Sequence, residues 1–416
     1  MNELIPRHQF SWGTELLDTF PVVVIQGARQ VGKSTFASQL MRGRQHVTVN
    51  FDRADDRENA SADPHSFVEL AERGTLVIDE VQRAPEVLLA VKASVDRDRR
   101  PGRFLLTGSS DLLRLSRTPD SLAGRAVTLE LHGFSQGELS GTKEDFARRV
   151  RNSEFTAFEE ASRWRRADYI EMLARGGFPE TQHLEGRLRN AWFDSYLTRI
   201  LKRDIGDVSR GLSSDRLDAV LRLISANQGG ELVQARLADA LAMPKSSIAS
   251  YLSALQAIYL TQSLPPWRAN LTKREIGRHK VSVSDSGLAM RLAALRTSAL
   301  ESLSQSPVVG MHLEAFVTSE LVKQSGWSTE EFRLFHFRDR NGLEVDIVIE
   351  YDDGSVYLIE VKASATYRSE HARGIRALAE RLGDRFIGGA VLGFGTQPVF
   401  MGDRIWGLPI GAIWQH

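Results

Sequence analysis

The sequence contains no cysteine among its 416 residues. Disulfide bonds and thiolate metal sites are therefore excluded, and this composition fits a reducing cytosol. The chain also has no formal net charge, because 53 Lys and Arg residues balance 53 Asp and Glu residues. No overall electrostatic field attracts nucleic acid or a membrane surface, so any basic surface has to be local.

Long apolar runs are absent as well. No uninterrupted apolar stretch approaches the roughly 18 residues of a membrane-spanning helix, and residues 1–10 lack the apolar core of a signal peptide. The sequence therefore predicts a soluble, cytoplasmic protein. Hydrophobic residues make up 42% of the chain and charged residues 25%, which is typical of globular domains, and the length favours about three of them.

The clearest motif is a glycine-rich stretch that reads G-x-x-x-x-G-K-S. An apolar, β-branched run at 21–25 precedes it and a helical pattern at 35–41 follows it, which is the strand–loop–helix setting of a phosphate-binding loop. We expect Lys33 to reach the β- and γ-phosphates of ATP, and the Ser34 hydroxyl to ligate Mg²⁺. A chance glycine-rich turn is the alternative. The predicted nucleotide-binding residues are Gly27, Ala28, Arg29, Gln30, Val31, Gly32, Lys33, Ser34 and Thr35.

Two carboxylates, Asp79 and Glu80, follow the apolar run at 75–78. Open α/β sheets place their ligands at the carboxyl ends of strands, so this pair is a candidate for the chemistry at the phosphates. We expect Asp79 to hold Mg²⁺ through water, and Glu80 to orient or deprotonate the attacking water.

Hydroxyl side chains end the next predicted strand, at Thr107, Ser109 and Ser110. If the two strands are neighbours in the sheet, these hydroxyls lie beside the γ-phosphate, where Ser109 in particular would sense it or position the water. An ordinary helix N-cap is the alternative.

A single arginine, Arg125, precedes the predicted strand at 127–131. Such a guanidinium serves either as an arginine finger for a neighbouring subunit or as a solvated surface residue. The first interpretation predicts a homo-oligomer.

Alternating strands and helices over the first third of the chain predict an α/β fold with a parallel sheet, as in P-loop NTPases. Residues 55–63 are polar and are predicted to form a loop. From 135 to 205 the pattern is helical. At 232–241 and 246–258, two predicted helices flank a turn, followed by predicted strands at 260–264 and 280–283. This pattern is typical of a helix-turn-helix with a wing that contacts DNA, and a plain helical connector is the alternative.

A second group of polar residues belongs to the α/β pattern predicted beyond residue 308. Asp346 lies on one predicted strand, and Glu360 and Lys362 lie on one face of the next, across a turn at 352–354. Two carboxylates and a lysine suit a site for Mg²⁺ or Mn²⁺, which Glu314 on the preceding helix would complete. Alternating charge on a solvated hairpin is the alternative. Because the two acids repel each other without a metal, replacing Asp346 by alanine is not expected to lower stability.

The chain resembles a bacterial and archaeal family of AAA+-like ATPases with a C-terminal DUF4143 region. The resemblance rests on GARQVGKST, LVIDEVQRAPEVL, FLLTGSSDLL, RGGFPE, SDSGLAMRL and EVDIVIE with YLIEVK. It implies a P-loop ATPase core at 1–134, a helical lid at 135–210, a winged-helix-like DUF4143 segment at 211–295 and a restriction-endonuclease-like domain at 308–416. The residues His132-Gly133 replace the usual proline.

The last of these folds resembles the PD-(D/E)XK nucleases. This resemblance implies that Asp346 and Glu360 are metal ligands and that Lys362 is the catalytic lysine. Two functions remain open: a Mg²⁺-dependent ATPase coupled to a nuclease-like domain that acts on DNA, or a regulatory ATPase switch whose C-terminal domain binds a protein or nucleic-acid partner without cleaving it.

Overall fold

The computed structural model describes residues 4–109, 122–152, 161–204, 211–268, 277–302 and 306–415. These residues fall into two compact units. The first comprises the chain up to Phe134 together with Ala254–Tyr259, and the second comprises Ser135–Arg203, Gly211–Ser253 and the chain from Leu260 onward. Within the described ranges, no helix has the length and apolar character needed to cross a membrane.

A five-stranded sheet forms the centre of the first unit, in the order β2-β3-β4-β1-β5. Every neighbouring pair is parallel, which confirms the predicted sheet. All residues of β1, β3 and β4 are buried, as expected for strands covered on both faces. The strands are β1 (Val22–Gln26), β2 (His46–Asn50), β3 (Thr75–Asp79), β4 (Phe104–Gly108) and β5 (Ala126–Glu130).

Helices precede or connect these strands, and three of them contribute Ala60, Phe67 and Val91 to one core with Val24, Ile78 and Leu106. The helices are α1 (Phe10–Thr19), α2 (Lys33–Leu40), α3 (Ala54–Ala62), α4 (Pro64–Phe67) and α5 (Val87–Arg97), with a 3-10 turn at Val81–Arg83.

Helix α3 corrects the sequence analysis, which predicted a loop at 55–63. Only Ala60 of this helix is buried, so the sequence carries no apolar period that would reveal it. Two acidic residues in the first turn, Asp55 and Asp56, favour the helix through its dipole. The Asp56 carboxylate also accepts a hydrogen bond of 3.2 Å from the backbone of Asn50.

The second unit begins with helices and a small sheet. In that sheet, β8 lies between β6 and β7 and is antiparallel to both, so the two strands predicted at 260–264 and 280–283 do pair. The helices of this part are α6 (Gln136–Ser140), α7 (Phe146–Arg151), α8 (Arg166–Arg175), α9 (Gly186–Arg199), α10 (Ser214–Ala226), α11 (Gln234–Ala240), α12 (Lys245–Ala257), whose last residues join the first unit, α13 (Ser286–Leu292) and α14 (Thr297–Leu300). The strands are β6 (Gly230–Glu231), β7 (Thr261–Leu264) and β8 (Lys280–Val283).

A mixed six-stranded sheet forms the rest of the second unit, in the order β13-β14-β12-β11-β10-β9. The predicted hairpin is present: β10 and β11 are antiparallel, and Ile347 faces Ile359. The last two strands were not predicted, because they are short and one of them contains glycine and proline. The strands are β9 (Phe332–Arg338), β10 (Glu344–Tyr351), β11 (Val356–Val361), β12 (Phe386–Gly393), β13 (Val399–Phe400) and β14 (Ile405–Pro409).

One long helix packs on each face of this sheet. Helix α15 (Ser306–Gln324) contributes to one apolar core, with Ile347 and Ile359 of the hairpin. Helix α16 (Arg373–Leu382) contributes to a second core, with Val348 and Leu358. The period of two along each strand explains why alternate residues enter different cores.

Candidate functional sites

The glycine-rich loop connects β1 to α2 in the backbone conformation that its glycines permit. Gly27 has a φ of 147°, and a side chain there would collide with the carbonyl oxygen of Leu131. Gly32 has a φ of 98° and stands immediately before α2. The loop therefore turns tightly at the N-terminus of a helix, where backbone N–H groups favour an anion.

Lys33 is the first residue of α2 and is only 6% exposed. Its Nζ donates hydrogen bonds to the carbonyl oxygens of Gly27 at 3.0 Å and Ala28 at 2.8 Å. The ammonium group thus lies against the loop backbone, where a bound phosphate would meet it.

Asp79, at the end of β3, is the centre of a polar network and is 8% exposed. Its Oδ2 accepts hydrogen bonds from Ser34 Oγ at 2.8 Å and from Asn50 Nδ2 at 3.3 Å. The Thr107 hydroxyl donates to its other oxygen. Hydroxyl and carboxylate oxygens are the ligands that Mg²⁺ prefers, so Ser34 and Asp79 fit the ion that the sequence predicts here.

Glu80 adopts a left-handed backbone conformation with a φ of 57°. Its carboxylate accepts hydrogen bonds from Ser109 Oγ at 3.2 Å and from the Gln82 amide, which also donates to Ser109 Oγ at 3.0 Å. Strands β3 and β4 are neighbours in the sheet, as the prediction for Thr107 and Ser109 required. Ser110 lies outside the described residues.

Several contacts around this site were not predicted from the sequence. Asn50 was detectable, because it ends a strand at the same edge of the sheet as Asp79. The other contacts are not local in sequence: Arg7 Nη2 donates to the loop carbonyl of Val31 at 3.2 Å, and Tyr259 Oη donates to Gln26 at 2.9 Å.

Arg125 lies at the opposite end of the sheet from the glycine-rich loop. Ala126 pairs with Val22 at the start of β1, whereas the loop follows Gln26 at its end, so roughly 16 Å of strand separates the two. Its guanidinium forms two hydrogen bonds with Asp96, of 2.6 and 2.9 Å. Hydrogen bonding to this guanidinium lowers the pKa of Asp96. Arg125 therefore does not reach the glycine-rich loop of its own subunit, and a role in trans stays a prediction.

The predicted C-terminal residues do come together on the β10–β11 hairpin. The pairing of Ile347 with Ile359 sets Asp346 opposite Glu360. Asp346 Oδ2 accepts a hydrogen bond of 2.8 Å from the backbone of Val361. Lys362 Nζ lies 2.7 Å from Glu360 Oε2 and 3.8 Å from Asp346 Oδ2.

A second lysine, Lys280 on β8, was missed by the sequence analysis. Its Nζ lies 2.6 Å from Glu314 Oε1, 3.5 Å from Glu344 Oε1 and 3.8 Å from Asp346 Oδ1. Lys280 and Glu314 are 34 residues apart, and no motif links them. We call the six side chains together the carboxylate–lysine cluster: Lys280, Glu314, Glu344, Asp346, Glu360 and Lys362.

Burial and mutual repulsion dominate the electrostatics of this cluster. Burial and the Asp346 carboxylate raise the pKa of Glu360, and the same two causes raise the pKa of Glu314. Burial alone would lower the pKa of Lys280, but the nearby Glu314 and Asp346 outweigh it and raise that pKa.

This arrangement differs from the predicted metal site at Glu314, Asp346 and Glu360. Among the described residues, no group of three or more His, Asp or Glu side chains is arranged to hold a metal ion. The physical reason is that Lys280 and Lys362 pair with these acids, so the acids form ion pairs instead of a shared coordination shell.

Three family models match the chain in succession. The model of the AAA domain matches residues 19–140. Residues 166–299 match DUF8612 and residues 309–413 match DUF4143, both described as domains of unknown function. The prediction of DUF4143 at 211–295 was therefore wrong, because that match covers the segment predicted as restriction-endonuclease-like. DUF8612 covers 211–295 and also part of the predicted helical lid.

Two mycobacterial proteins are similar over most of the chain. Rv2008c of Mycobacterium tuberculosis is 26% identical over 347 residues, which cover 83% of this chain and 71% of the relative. Mb2031c of Mycobacterium bovis matches with the same values.

Solved structures of ATPases are partly similar. The Walker-type ATPase PABY2304 of Pyrococcus abyssi aligns with a TM-score of 0.43 and 16% identity, over 70% of this chain and 96% of that one. A RuvB point mutant from Thermotoga maritima aligns with a TM-score of 0.28 and 20% identity, over 62% and 88% of the two chains.

Proposed function

Since the chain is an AAA-type P-loop protein with a C-terminal DUF4143 region, we propose that it binds and hydrolyses ATP with Mg²⁺. The observation that carries the proposal is the convergence of two side-chain pairs at one sheet edge. Ser34 donates a hydrogen bond to Asp79, and Ser109 donates one to Glu80. The two acids and Ser109 lie at the ends of neighbouring strands.

Different residues of this chain bind the phosphates and activate the attacking water. The loop backbone from Gly27 to Gly32 cradles the phosphates, and Lys33 places a positive charge beside the phosphoryl group that is transferred. Glu80, held by Ser109 and Gln82, orients the attacking water and accepts its proton.

Mg²⁺ would be held by Ser34 and Asp79, which already share a hydrogen bond. When bound, the ion neutralises charge on the phosphate oxygens. Asn50 and Thr107 hold the Asp79 carboxylate in a fixed orientation from two sides, so a change in either residue would act through Asp79.

The replacement Glu80→Gln tests the proposed hydrolysis. We expect ATP to remain bound with an affinity close to that of the parent, because Lys33 and the loop are unchanged. Turnover should fall by about 10²–10⁴-fold, the usual contribution of a general base. Binding is measured by calorimetry with a slowly hydrolysed ATP analogue, and turnover by phosphate release.

Glu58, an exposed residue of α3, supplies the matched control for this experiment. Glu58→Gln removes the same charge from the same unit and should leave turnover unchanged. If Glu80→Gln hydrolysed ATP at the parent rate, the role assigned to Glu80 would be wrong.

We propose further that Arg125 completes the site of a neighbouring subunit, which requires self-association. Arg125→Ala alone should lower turnover by about 10³-fold or more, as expected for an arginine finger. Glu80→Gln is also inactive but keeps ATP and Arg125. Mixing the two inactive variants should restore activity, because Arg125 of the second completes the site of the first.

The mixing experiment separates the finger from a structural role. Asp96→Asn breaks the pair with Arg125 but leaves the guanidinium present, so it should retain turnover. Mixtures that stay as inactive as their components, over a wide range of protein concentration, would assign Arg125 to the pair with Asp96 alone.

A second function is favoured by the carboxylate–lysine cluster. The juxtaposition of Asp346, Glu360 and Lys362 supplies two oxygen ligands and a cation for metal-dependent cleavage of a phosphodiester. Helices α11 and α12 with the β7–β8 pair would then contact DNA. The alternative is a regulatory ATPase whose C-terminal domain binds its partner without cleavage.

A further inference from the structure

Lys280 is a member of the cluster that lies outside the β10–β11 hairpin. It is 5% exposed, and its ammonium group lies within 4 Å of carboxylate oxygens from Glu314, Glu344 and Asp346. Glu360 has its own partner in Lys362. Lys280 is therefore the buried cation between Glu314 and Asp346, and it shares Glu344 with Arg338, whose Nη1 lies 3.9 Å from Glu344 Oε1.

The position of Lys280 is fixed by backbone pairing. Its strand, β8, is the central strand of the small sheet and bonds to a neighbour on each side. The segment after β7 then continues alongside β9: His336 donates to the carbonyl of Pro265 at 3.0 Å, and Trp267 donates to the carbonyl of His336 at 2.6 Å. Backbone pairing thus fixes the main chain of Lys280 beside the hairpin, and its flexible side chain carries the ammonium group to the acids.

The two sides of the cluster come from different family regions. Lys280 belongs to the region that matches DUF8612, whereas Glu314, Asp346 and Glu360 belong to the region that matches DUF4143. One region of the chain therefore provides a counter-charge for the acids of another.

We propose that Lys280 is a built-in cation that occupies the place of a divalent metal ion among Glu314, Glu344 and Asp346. A metal ion would bind there only when the Lys280 ammonium group withdraws, so the DUF8612 region would regulate metal access to the DUF4143 acids. This inference rests on the metal role proposed above for Asp346.

Electrostatics and access both support this competition. Two cations a few Å apart in a buried site repel strongly, since the interaction at about 4 Å is far larger inside a protein than in water. Access is provided by a groove of about 380 Å³ beside the cluster, lined by Lys280, Glu314 and Glu344 and by the arginines Arg236, Arg278 and Arg338. An ion can therefore approach the acids from solvent once the ammonium group moves.

The test compares Mn²⁺ binding to full-length variants by calorimetry and thermal melting, without nucleotide. All variants carry Asp79→Asn, so that the first unit contributes no metal signal. We expect Lys280→Gln to bind Mn²⁺ at least about tenfold more tightly than the chain with Lys280, which corresponds to about 1.4 kcal/mol. Lys280→Arg, which keeps the charge, should bind as weakly as that chain.

Two controls assign the effect. Arg278→Gln removes a positive charge from the same groove without touching Asp346, and should not improve binding. Adding Asp346→Asn to Lys280→Gln should abolish the gain. A measurement on the unsubstituted lysine covers the case in which Lys280→Gln does not fold: acetylation of Lys280, followed by mass spectrometry, should increase when Mn²⁺ is added.

The outcomes separate this inference from the metal role itself. One outcome is that Mn²⁺ binds equally tightly with and without Lys280 but no longer binds after Asp346→Asn. This outcome would overturn the role of Lys280 and leave the metal site standing. Mn²⁺ binding that leaves Lys280 acetylation unchanged would have the same meaning. No Mn²⁺ binding to any variant at millimolar concentration would overturn both.

Discussion

Replacement of Lys33 by alanine is expected to abolish most ATP turnover while the protein stays folded. The ammonium group lies at the loop carbonyls of Gly27 and Ala28, so it is prepositioned for charge that develops on a phosphate. Removing one such electrostatic group typically costs about 10²–10³ in rate, or about 2.7–4 kcal/mol of transition-state stabilisation. Phosphate release at saturating ATP measures the effect, and calorimetry separates it from weaker binding.

The stability cost of the same change should be small. The two carbonyl oxygens lose a charged donor, which is worth about 1.5–3 kcal/mol at most, and water can replace it. Lys92→Ala, in α5 of the same unit, is the matched control and should keep both turnover and melting temperature. Turnover of Lys33→Ala within threefold of the parent would remove Lys33 from the phosphate site.

The convergence of the proposed nucleotide-site residues was predictable because they are local in sequence. The loop, the Asp79-Glu80 pair and Ser109 each follow an apolar strand, and parallel strands bring their carboxyl ends to one edge. What the sequence could not supply are contacts between distant segments. Arg7, which holds the loop through Val31, also donates to the carbonyl of His132, 125 residues away.

The carboxylate–lysine cluster illustrates the same limit. The turn at 352–354 ends in Gly354 with a φ of 80°, so the hairpin that joins Asp346 to Glu360 was predictable from the residues. Lys280 was not, because its place depends on how the small sheet packs in the second unit. A site that looks like two repelling acids and one lysine in sequence is therefore an ion-pair network in the fold.

This network changes the expected effect of Asp346→Ala on stability. From sequence, removal of one of two repelling acids should not destabilise the chain. In the structure, Asp346 lies between the ammonium groups of Lys280 and Lys362 and accepts a hydrogen bond from Val361. Removing one partner of a buried ion pair costs about 3–5 kcal/mol. Because each lysine retains another acid, we expect the lower end, about 3 kcal/mol, in metal-free buffer by denaturant unfolding of the full chain.

Two further variants make this prediction specific to the charge of Asp346. Asp346→Asn can still accept the Val361 hydrogen bond, so it should lose less stability than Asp346→Ala. Asp352→Ala removes an exposed acid from the turn of the same hairpin and should have almost no effect.

The same proteins, incubated with plasmid and single-stranded DNA and Mn²⁺, separate the two functions of the C-terminal domain. Cleavage that requires Asp346 favours a nuclease, and absence of cleavage by the parent favours a binding module. If Asp346→Ala were as stable as the parent without metal, the two lysines would not depend on Asp346, and repulsion between the acids would dominate the cluster as the sequence alone suggests.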